Sequence, residues 1–393
     1  MEKQFKSFNL DDTGKNNSQS CLTEFVLLGF SDFQSLQELL FCLVLFFFFM
    51  ALLGNGLVLM LTIASPRLHT PMYFFVSHLS FLEISYTSTI NLKLLVNLLS
   101  KNQTISFWGC GCQLCFFILF GITECCLLCA MSYDRYVAIC KPLQYPCIMN
   151  YRICTKLAAF SWASGSFSGM GQSLSIFTLP YCRLNKISHF FCDPLPVLRL
   201  TSANTYTNEV VNATLTVVFV LIPLVFILFS YVLIISTILM MPAAKKRRKA
   251  FSTCSSHLIV VFIFFGTIMF TYIQPSSSSS EDNNRFLALL YTVVTPSLNP
   301  IIYSLRNEEI KAAFKKAILQ VPVFCYHVPS GPPLHSTIHA QFLQPFLICF
   351  GFGPHIFLVL LLFWLLFSVL FPEFQCLFCI VETKIECSTA GVV

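Results

Sequence analysis

Seven long apolar stretches punctuate the first 305 residues of this chain, near 39–63, 72–95, 108–133, 154–177, 210–238, 255–274 and 286–305. Each is close to or longer than the ~20 residues an α-helix needs to cross the hydrocarbon of a bilayer. They are continuous apolar blocks rather than ten-residue alternating segments, which favours helices over a barrel. The second is the most polar. With 56% hydrophobic and 11% charged residues, a soluble fold of this length would lack the polar surface to cover its core. A bilayer removes that need. The expected fold is an all-α membrane protein, a seven-transmembrane helix bundle. An eighth hydrophobic segment at 343–371 lies in a C-terminal extension.

The charges give an orientation. Placing residues 1–38 outside puts Arg67, Arg135, Lys141, Arg152, Lys156, the Lys245–Lys249 run, Arg306, Lys311, Lys315 and Lys316 inside. Most acids, among them Asp11, Asp12, Asp193, Glu209, Glu281 and Asp282, fall outside. Basic excess on the cytoplasmic side is the rule for membrane proteins. The net charge of +6 is therefore an orientation signal, and the basic run reads as a juxtamembrane segment facing anionic lipid, not nucleic acid. No cleavable signal peptide is expected in the polar first 38 residues. Asn16-Asn17-Ser18 is a glycosylation sequon if this segment is extracellular. Most of the 19 cysteines sit in apolar runs, where Cys acts as a small hydrophobe. Cys110, Cys182 and Cys192 fall on the outer face, where oxidation is permitted.

Asp134-Arg135-Tyr136 stands where the third stretch should emerge inside. A guanidinium and a carboxylate at that depth are costly unless paired or hydrated, which marks a functional site. The plainer reading is a positive-inside anchor. Glu83 and Glu124 are carboxyls within apolar stretches, and neither should face lipid.

Six segments in order carry a resemblance. They are Gly54-Asn55; Leu68-His69-Thr70-Pro71-Met72-Tyr73; Leu79-Ser80-Phe81-Leu82-Glu83; Met131-Ser132-Tyr133-Asp134-Arg135-Tyr136-Val137-Ala138-Ile139-Cys140; Lys249-Ala250-Phe251-Ser252-Thr253-Cys254-Ser255-Ser256-His257-Leu258; and Pro296-Ser297-Leu298-Asn299-Pro300-Ile301-Ile302-Tyr303-Ser304-Leu305-Arg306-Asn307. Over roughly residues 22–320 the chain resembles the odorant receptors, a branch of the rhodopsin-like G-protein-coupled receptors. The resemblance implies a plasma-membrane receptor that binds a small-molecule odorant from outside. Inside, it would activate a heterotrimeric stimulatory G protein, raising cyclic AMP through adenylate cyclase.

The resemblance also implies roles. Arg135 is held by Asp134 at rest and meets the G protein when the sixth helix swings out. Tyr231 and Tyr303 reach inward to stabilise that open state; an interface aromatic is the alternative for each. Pro300 kinks the seventh helix, and Asn299 can satisfy the carbonyls this frees. Glu83 and Glu124, with Asn55 and Asn299 near, would hold a sodium ion or shared protons. Two neutral hydrogen-bonded acids are the other reading. The family pattern pairs Cys110 with Cys192 and so holds the second outer loop over a pocket. Ser202 stands where the usual partner of Cys182 is expected, leaving Cys182 free or paired with Cys112. By position the pocket is lined by Phe117, Ile118, Gly121 and Ile122 of the third helix and Phe265, Ile268, Met269 and Tyr272 of the sixth. This mostly apolar lining implies a small hydrophobic ligand. Ordinary helix packing is the alternative for each of these residues. Asn91-Leu92 replaces a usual proline-bearing stretch, which puts the outer half of the second helix in question.

The organisation expected is thus an extracellular segment (1–38), a receptor domain (39–306), a short amphipathic helix on the inner membrane surface (307–320) and an atypical hydrophobic extension (321–393). No cofactor beyond the sodium ion is implied. No metal-spaced His/Cys set, nucleophile motif or phosphate-binding loop points to an enzyme. The competing readings are a degenerate or trafficking-defective receptor product and a ligand-gated channel; the tail is a non-standard terminal exon, a read-through product or a real extension.

Overall fold

The computed structural model describes residues 22–313 apart from 32, 101, 182–184, 274–279 and 306–309. Seven long helices run through the described residues. α1 is Gln37–Ala64, α2 Pro71–Leu99, α3 Phe107–Cys140 and α4 Tyr151–Phe177. α5 (Tyr206–Leu239) contains a widened π turn at Val217–Leu221. α6 is Ala244–Ile273, and α7 joins Ser280–Leu289, a π turn at Leu290–Val294 and Thr295–Leu305. Of these, α1, α3, α5, α6 and α7 are both long and apolar enough to cross a membrane.

The helix starts follow local chemistry. Extended Thr70 precedes Pro71, whose missing N–H costs nothing in a first turn. Ser106 caps α3 by accepting from Gly109 N at 3.1 Å, and Asn150 caps α4 by accepting from Ile153 N at 3.1 Å. The sixth stretch, expected from 255, starts at Ala244, because the intervening residues are mostly good helix formers without Gly or Pro. The Lys245–Lys249 run is therefore an exposed helical turn continuous with α6 rather than a loop.

The prolines explain the irregular turns. Pro223 cannot donate to the carbonyl four residues earlier, and the ladder of α5 widens just before it. In α7, Pro296 frees the carbonyl of Thr292 and Pro300 frees that of Pro296. Asn91 Nδ2 of α2 donates to Thr292 O at 3.4 Å, and Asn55 Nδ2 of α1 donates to Pro296 O at 3.0 Å. The carbonyl freed by Pro300 is thus met by Asn55 rather than by Asn299, because the Asn299 amide is engaged by Glu83. α2 is one unbroken helix through Asn91 and Leu92.

Packing is that of a membrane protein, with large apolar groups outside and polar groups within. Phe167 of α4 and Phe229 of α5 are largely exposed, whereas Asn55, Glu83, Asn91, Gln113, Glu124 and Asn299 are buried. Every residue of α2 from Ser85 to Leu98 is buried, so that part of the helix presents no face to lipid and needs no strongly apolar composition. α4 packs against α3 through Gly165 and Gly169, spaced as small-xxx-small. A Cβ on Gly165 would come within 2.4 Å of Leu119 O, and one on Gly169 within 2.6 Å of Cys115 O. Gly54 likewise leaves room for the Pro300 ring.

One end of the bundle is covered by a three-stranded sheet of β1 (Glu24–Leu27), β2 (Thr104–Ser106) and β3 (Lys186–Ile187). β1 is central, antiparallel to β2 and parallel to β3. At the other end residues 310–313 are helical, and Ile310 packs with Leu61, Leu68 and Tyr73. The rest of the expected amphipathic helix, Asn16, Cys182 and the 343–371 segment lie outside the described residues.

Candidate functional site

Three layers of polar groups line the bundle. The first is at the end opposite the sheet. Arg135 Nη2 lies 3.0 Å from Asp134 Oδ2, and Tyr145 Oη donates to Asp134 Oδ1 at 2.8 Å. Tyr145 sits on the short helical turn Tyr145–Ile148 after α3, where burial and then the Asp134 charge push its phenol pKa up. Asp134 is fully buried, while the Arg135 side chain keeps 12% exposure. Tyr136 is half-buried, with Lys141 Nζ 5.9 Å from its ring centroid. Next to this pair Tyr231 of α5 meets α6, its hydroxyl 2.8 Å from His257 Nδ1 and donating to Cys254 O at 3.3 Å. Tyr303 Oη, Arg135 Nε and His257 Nε2 are buried without a hydrogen-bond partner among the described residues. Sequence reasoning named both tyrosines but missed Tyr145 and the His257 contact. His257 lay in a quoted motif, but nothing local says which helix it faces.

The middle layer joins α2, α3 and α7. Asn299 donates to Glu83 Oε1, and the Glu83 and Glu124 carboxyls are within hydrogen-bonding reach of each other. Glu83 Oε2, Glu124 Oε1 and Asn299 Oδ1 have no hydrogen-bond partner among the described residues. Orphaned hard oxygens of this kind suit an alkali or alkaline-earth cation. Asn55 is tied to α7 through Pro296 O and to its own helix through Ala51 O.

The third layer, at the sheet end, is a lid formed by the segment that carries Cys192. A disulfide joins Cys110 to Cys192 with Cα atoms 5.6 Å apart. Gln113, which sequence reasoning did not single out, pins the same point. Its Oε1 accepts from Cys192 N at 3.0 Å, and its Nε2 donates to Thr89 O at 3.1 Å. Arg285 of α7 is buried and clamps the lid, donating from Nη1 to Gly29 O at 2.9 Å and from Nε to Ser188 O at 3.3 Å. Gly29 takes φ +48°, a left-handed turn that glycine adopts freely. Cys112 is exposed with a free thiol.

The pocket candidates are placed unevenly. Phe117 stacks on Tyr86 of α2 (6.1 Å between centroids) and meets Phe191 of the lid (4.9 Å). Ile118 and Ile122 are buried in the cluster under the lid, with Cys192, Val197 and Leu198. Space is open at Gly121, where a Cβ would meet nothing within 4 Å. Phe265 is buried in the main core, with Ile268 packed against that core. Met269 is half-buried, and the side chain of Tyr272 is outside what is described. A cavity of about 610 Å³ lies elsewhere, between α1, α6 and α7, and none of these candidates lines it.

A family model described as olfactory receptor matches residues 41–321. The chain belongs to the olfactory receptor family. It is 49% identical to human olfactory receptor 10P1 over 306 residues, 78% of this chain and 97% of that protein. It is 50% identical to human olfactory receptor 10A4 over 298 residues (76% and 95%) and 48% identical to mouse olfactory receptor 10P22 over 301 (77% and 96%). This receptor is accordingly a multi-pass membrane protein of a G-protein-coupled, odorant-sensing family, which is not a family of enzymes. Residues 322–393 lie beyond the family match.

The lid carries two buried titratable groups of opposite tendency. Burial, partly offset by Leu195 N–H and Arg199, pushes the Asp193 pKa up to about 6. Burial and the Arg285 charge push His189 down to about 3. The raised Asp193 stabilises the closed lid below its ordinary pKa of 3.8, and that contribution fades as pH rises through 6. The lowered His189 stabilises it above its ordinary 6.5, and that contribution fades as pH falls towards 3. The two slopes oppose each other between these limits. Amide protection of Val26, Leu27 and Leu28 is therefore expected to be nearly flat with pH in the parent. In Asp193→Asn it should fall as pH drops below 6.5, and in His189→Gln it should fall as pH rises from 4 to 6. Identical profiles in all three proteins would exclude this balance.

Proposed function

We propose that this receptor sits in the plasma membrane with its N-terminus outside and all seven helices crossing the bilayer. It binds small hydrophobic volatiles from the extracellular side and activates a stimulatory, olfactory-type G protein to raise cyclic AMP. The observation that carries the reading is the Asp134–Arg135 pair, closed by Tyr145 and flanked by the Tyr231–His257 contact at the end opposite the lid. An ion pair beside a contact between two helices suits a switch, which needs an element with two arrangements. The complete burial of the outer part of α2 supports its passage through the membrane despite its polarity.

Ligand contact is assigned to Phe117, Ile118, Gly121 and Ile122 with Phe265, Ile268, Met269 and Tyr272, beneath the disulfide-anchored lid. The space at Gly121 supports a ligand there. Glu83, Glu124 and Asn299 would hold a sodium ion, whose charge would offset the buried carboxylates. Ligand response is expected to depend on sodium and to lose that dependence in Glu124→Gln. An unchanged sodium response would leave two neutral acids.

The test measures cyclic AMP in cells expressing the full chain or a chain ending at Gln320, with a panel of hydrophobic volatiles and surface labelling of both. A response lost in cells lacking the stimulatory Gα subunit supports the reading. Current without cyclic AMP would make the protein a channel. Surface display of the shorter chain alone would make the full-length product trafficking-defective.

A further inference from the structure

Besides Asn16, the chain holds two glycosylation sequons that fall towards the lid end, Asn102-Gln103-Thr104 and Asn212-Ala213-Thr214. The sequence does not separate them, but the fold does. Asn102 is exposed on the turn between α2 and β2. Leu27 N donates to Gln103 O at 2.8 Å, which carries the extended pairing with β1 back into the sequon. Side chains two apart on extended chain point to one side. Asn102, Thr104 and Ser106 therefore face away from Ile105, which is buried in the cluster under the lid. Neither the Asn102 amide nor the Thr104 hydroxyl is hydrogen-bonded among the described residues. The other sequon is already engaged. It lies on helix α5, where residues two apart do not face each other. Asn212 Oδ1 accepts from Nε2 of buried Gln172 on α4 at 2.8 Å, and Thr214 Oγ1 donates to Val210 O at 2.8 Å.

We propose that Asn102 carries an N-linked oligosaccharide, which rests on the reading that the lid end is extracellular. The fold holds this turn clear of the bilayer. From Arg135 at the inner end to Phe107 at its start, α3 rises ~42 Å at 1.5 Å per residue. The hydrocarbon takes up ~30 Å of that rise, and a typical tilt of ~20° removes only a little more. The start of α3 thus stands roughly 10 Å outside the hydrocarbon, and Asn102 lies beyond it at the head of β2. A lumenal transferase meets an exposed amide there, with the Thr104 hydroxyl on the same side. In the reaction Asn102 Nδ2 attacks the anomeric carbon of a polyprenyl-diphosphate oligosaccharide. An N–C bond forms, the C–O bond to the diphosphate breaks, polyprenyl diphosphate leaves, and the amide gives up one proton to the transferase.

The modification bears on the lid. β2 is an outer strand of the three-stranded sheet, with β1 on one side of it. The other side of such a strand is a template for pairing with a second chain. A bulky, hydrated glycan at the head of β2 shields that edge.

The experiment expresses the full chain in mammalian cells and compares its gel mobility before and after peptide N-glycosidase. The parent is expected to lose two glycan steps. Asn16→Gln should keep one, which Asn102→Gln removes, and the double variant should show none. Asn102 is exposed, so its replacement disturbs no packed contact. Thr104→Val should match Asn102→Gln, while Thr104→Ser should restore the parental pattern, which a folding defect would not do. Asn212→Gln should leave both steps in place. Loss of all enzyme-sensitive carbohydrate in Asn16→Gln alone would overturn the proposal and leave the orientation intact. A parent without any glycan, whose residues 1–38 bind antibody on intact cells, would do the same. Antibody access only after permeabilisation would overturn the orientation itself, and the proposal with it.

Discussion

Arg135→Ala is expected to abolish volatile-evoked cyclic AMP while leaving the receptor at the cell surface. The guanidinium is 3.0 Å from a fully buried Asp134 carboxylate and retains 12% exposure. Removing it takes away the cation available to a G protein when the helices part. It also strands Asp134 with only the Tyr145 hydroxyl as a partner. A hydrogen bond from a charged group, lost from the coupled state alone, is worth about 1.5–3 kcal/mol, so coupling should fall ~10–100-fold. Asp134→Asn separates the two effects. It keeps the guanidinium but removes the charge that restrains it, and basal cyclic AMP should rise. If Arg135→Ala signals normally at normal surface density, Arg135 is only a topological anchor and the proposed switch is wrong.

Gly165→Leu is expected to remove most of the folded receptor. On α4 the Cβ alone would lie 2.2 Å from Thr123 Oγ1 and 2.4 Å from Leu119 O of α3. The second of these is helix backbone, which cannot swing aside. α4 would have to back away from α3, undoing the fit at Gly169, where the Cβ limit is 2.6 Å from Cys115 O. Overpacking of this kind costs about 1–3 kcal/mol and sometimes more, which lowers the folded/unfolded ratio by about 5- to 150-fold if α4 cannot shift. Gly171 on the same helix supplies the control, since a Cβ there meets nothing within 4 Å. Gly171→Leu should be displayed at parental level. Surface labelling of both variants decides, and equal display would mean that the α3–α4 interface is plastic.

The polar interior was only partly readable in advance. Glu83 and Glu124 stood out because a carboxyl in an apolar run needs a partner, and Asn299 because it lay in a quoted motif beside Pro300; the three do meet. Gln113 stood in an equally apolar run and passed unnoticed, although it ties α2, α3 and the disulfide loop together. Glutamine carries no charge and belonged to none of the motifs. β1 was also missed, because four residues are too short for alternation to register and their partners lie far along the chain.

What the sequence by itself determined is what acts locally. Apolar length marked where the long helices lie, Ser106 and Asn150 set helix starts, and each proline of α7 committed one carbonyl to finding a donor outside its own helix. Only the tertiary structure decided which donor arrives. Asn55 and Asn91 reach those carbonyls from 241 and 201 residues away, and Tyr231 finds His257 across two helices. Hydropathy and backbone chemistry depend on a residue and its near neighbours. A hydrogen bond between helices depends on their depth and rotation, which are set by packing at contacts such as Gly165 against Leu119 and Gly54 against Pro300.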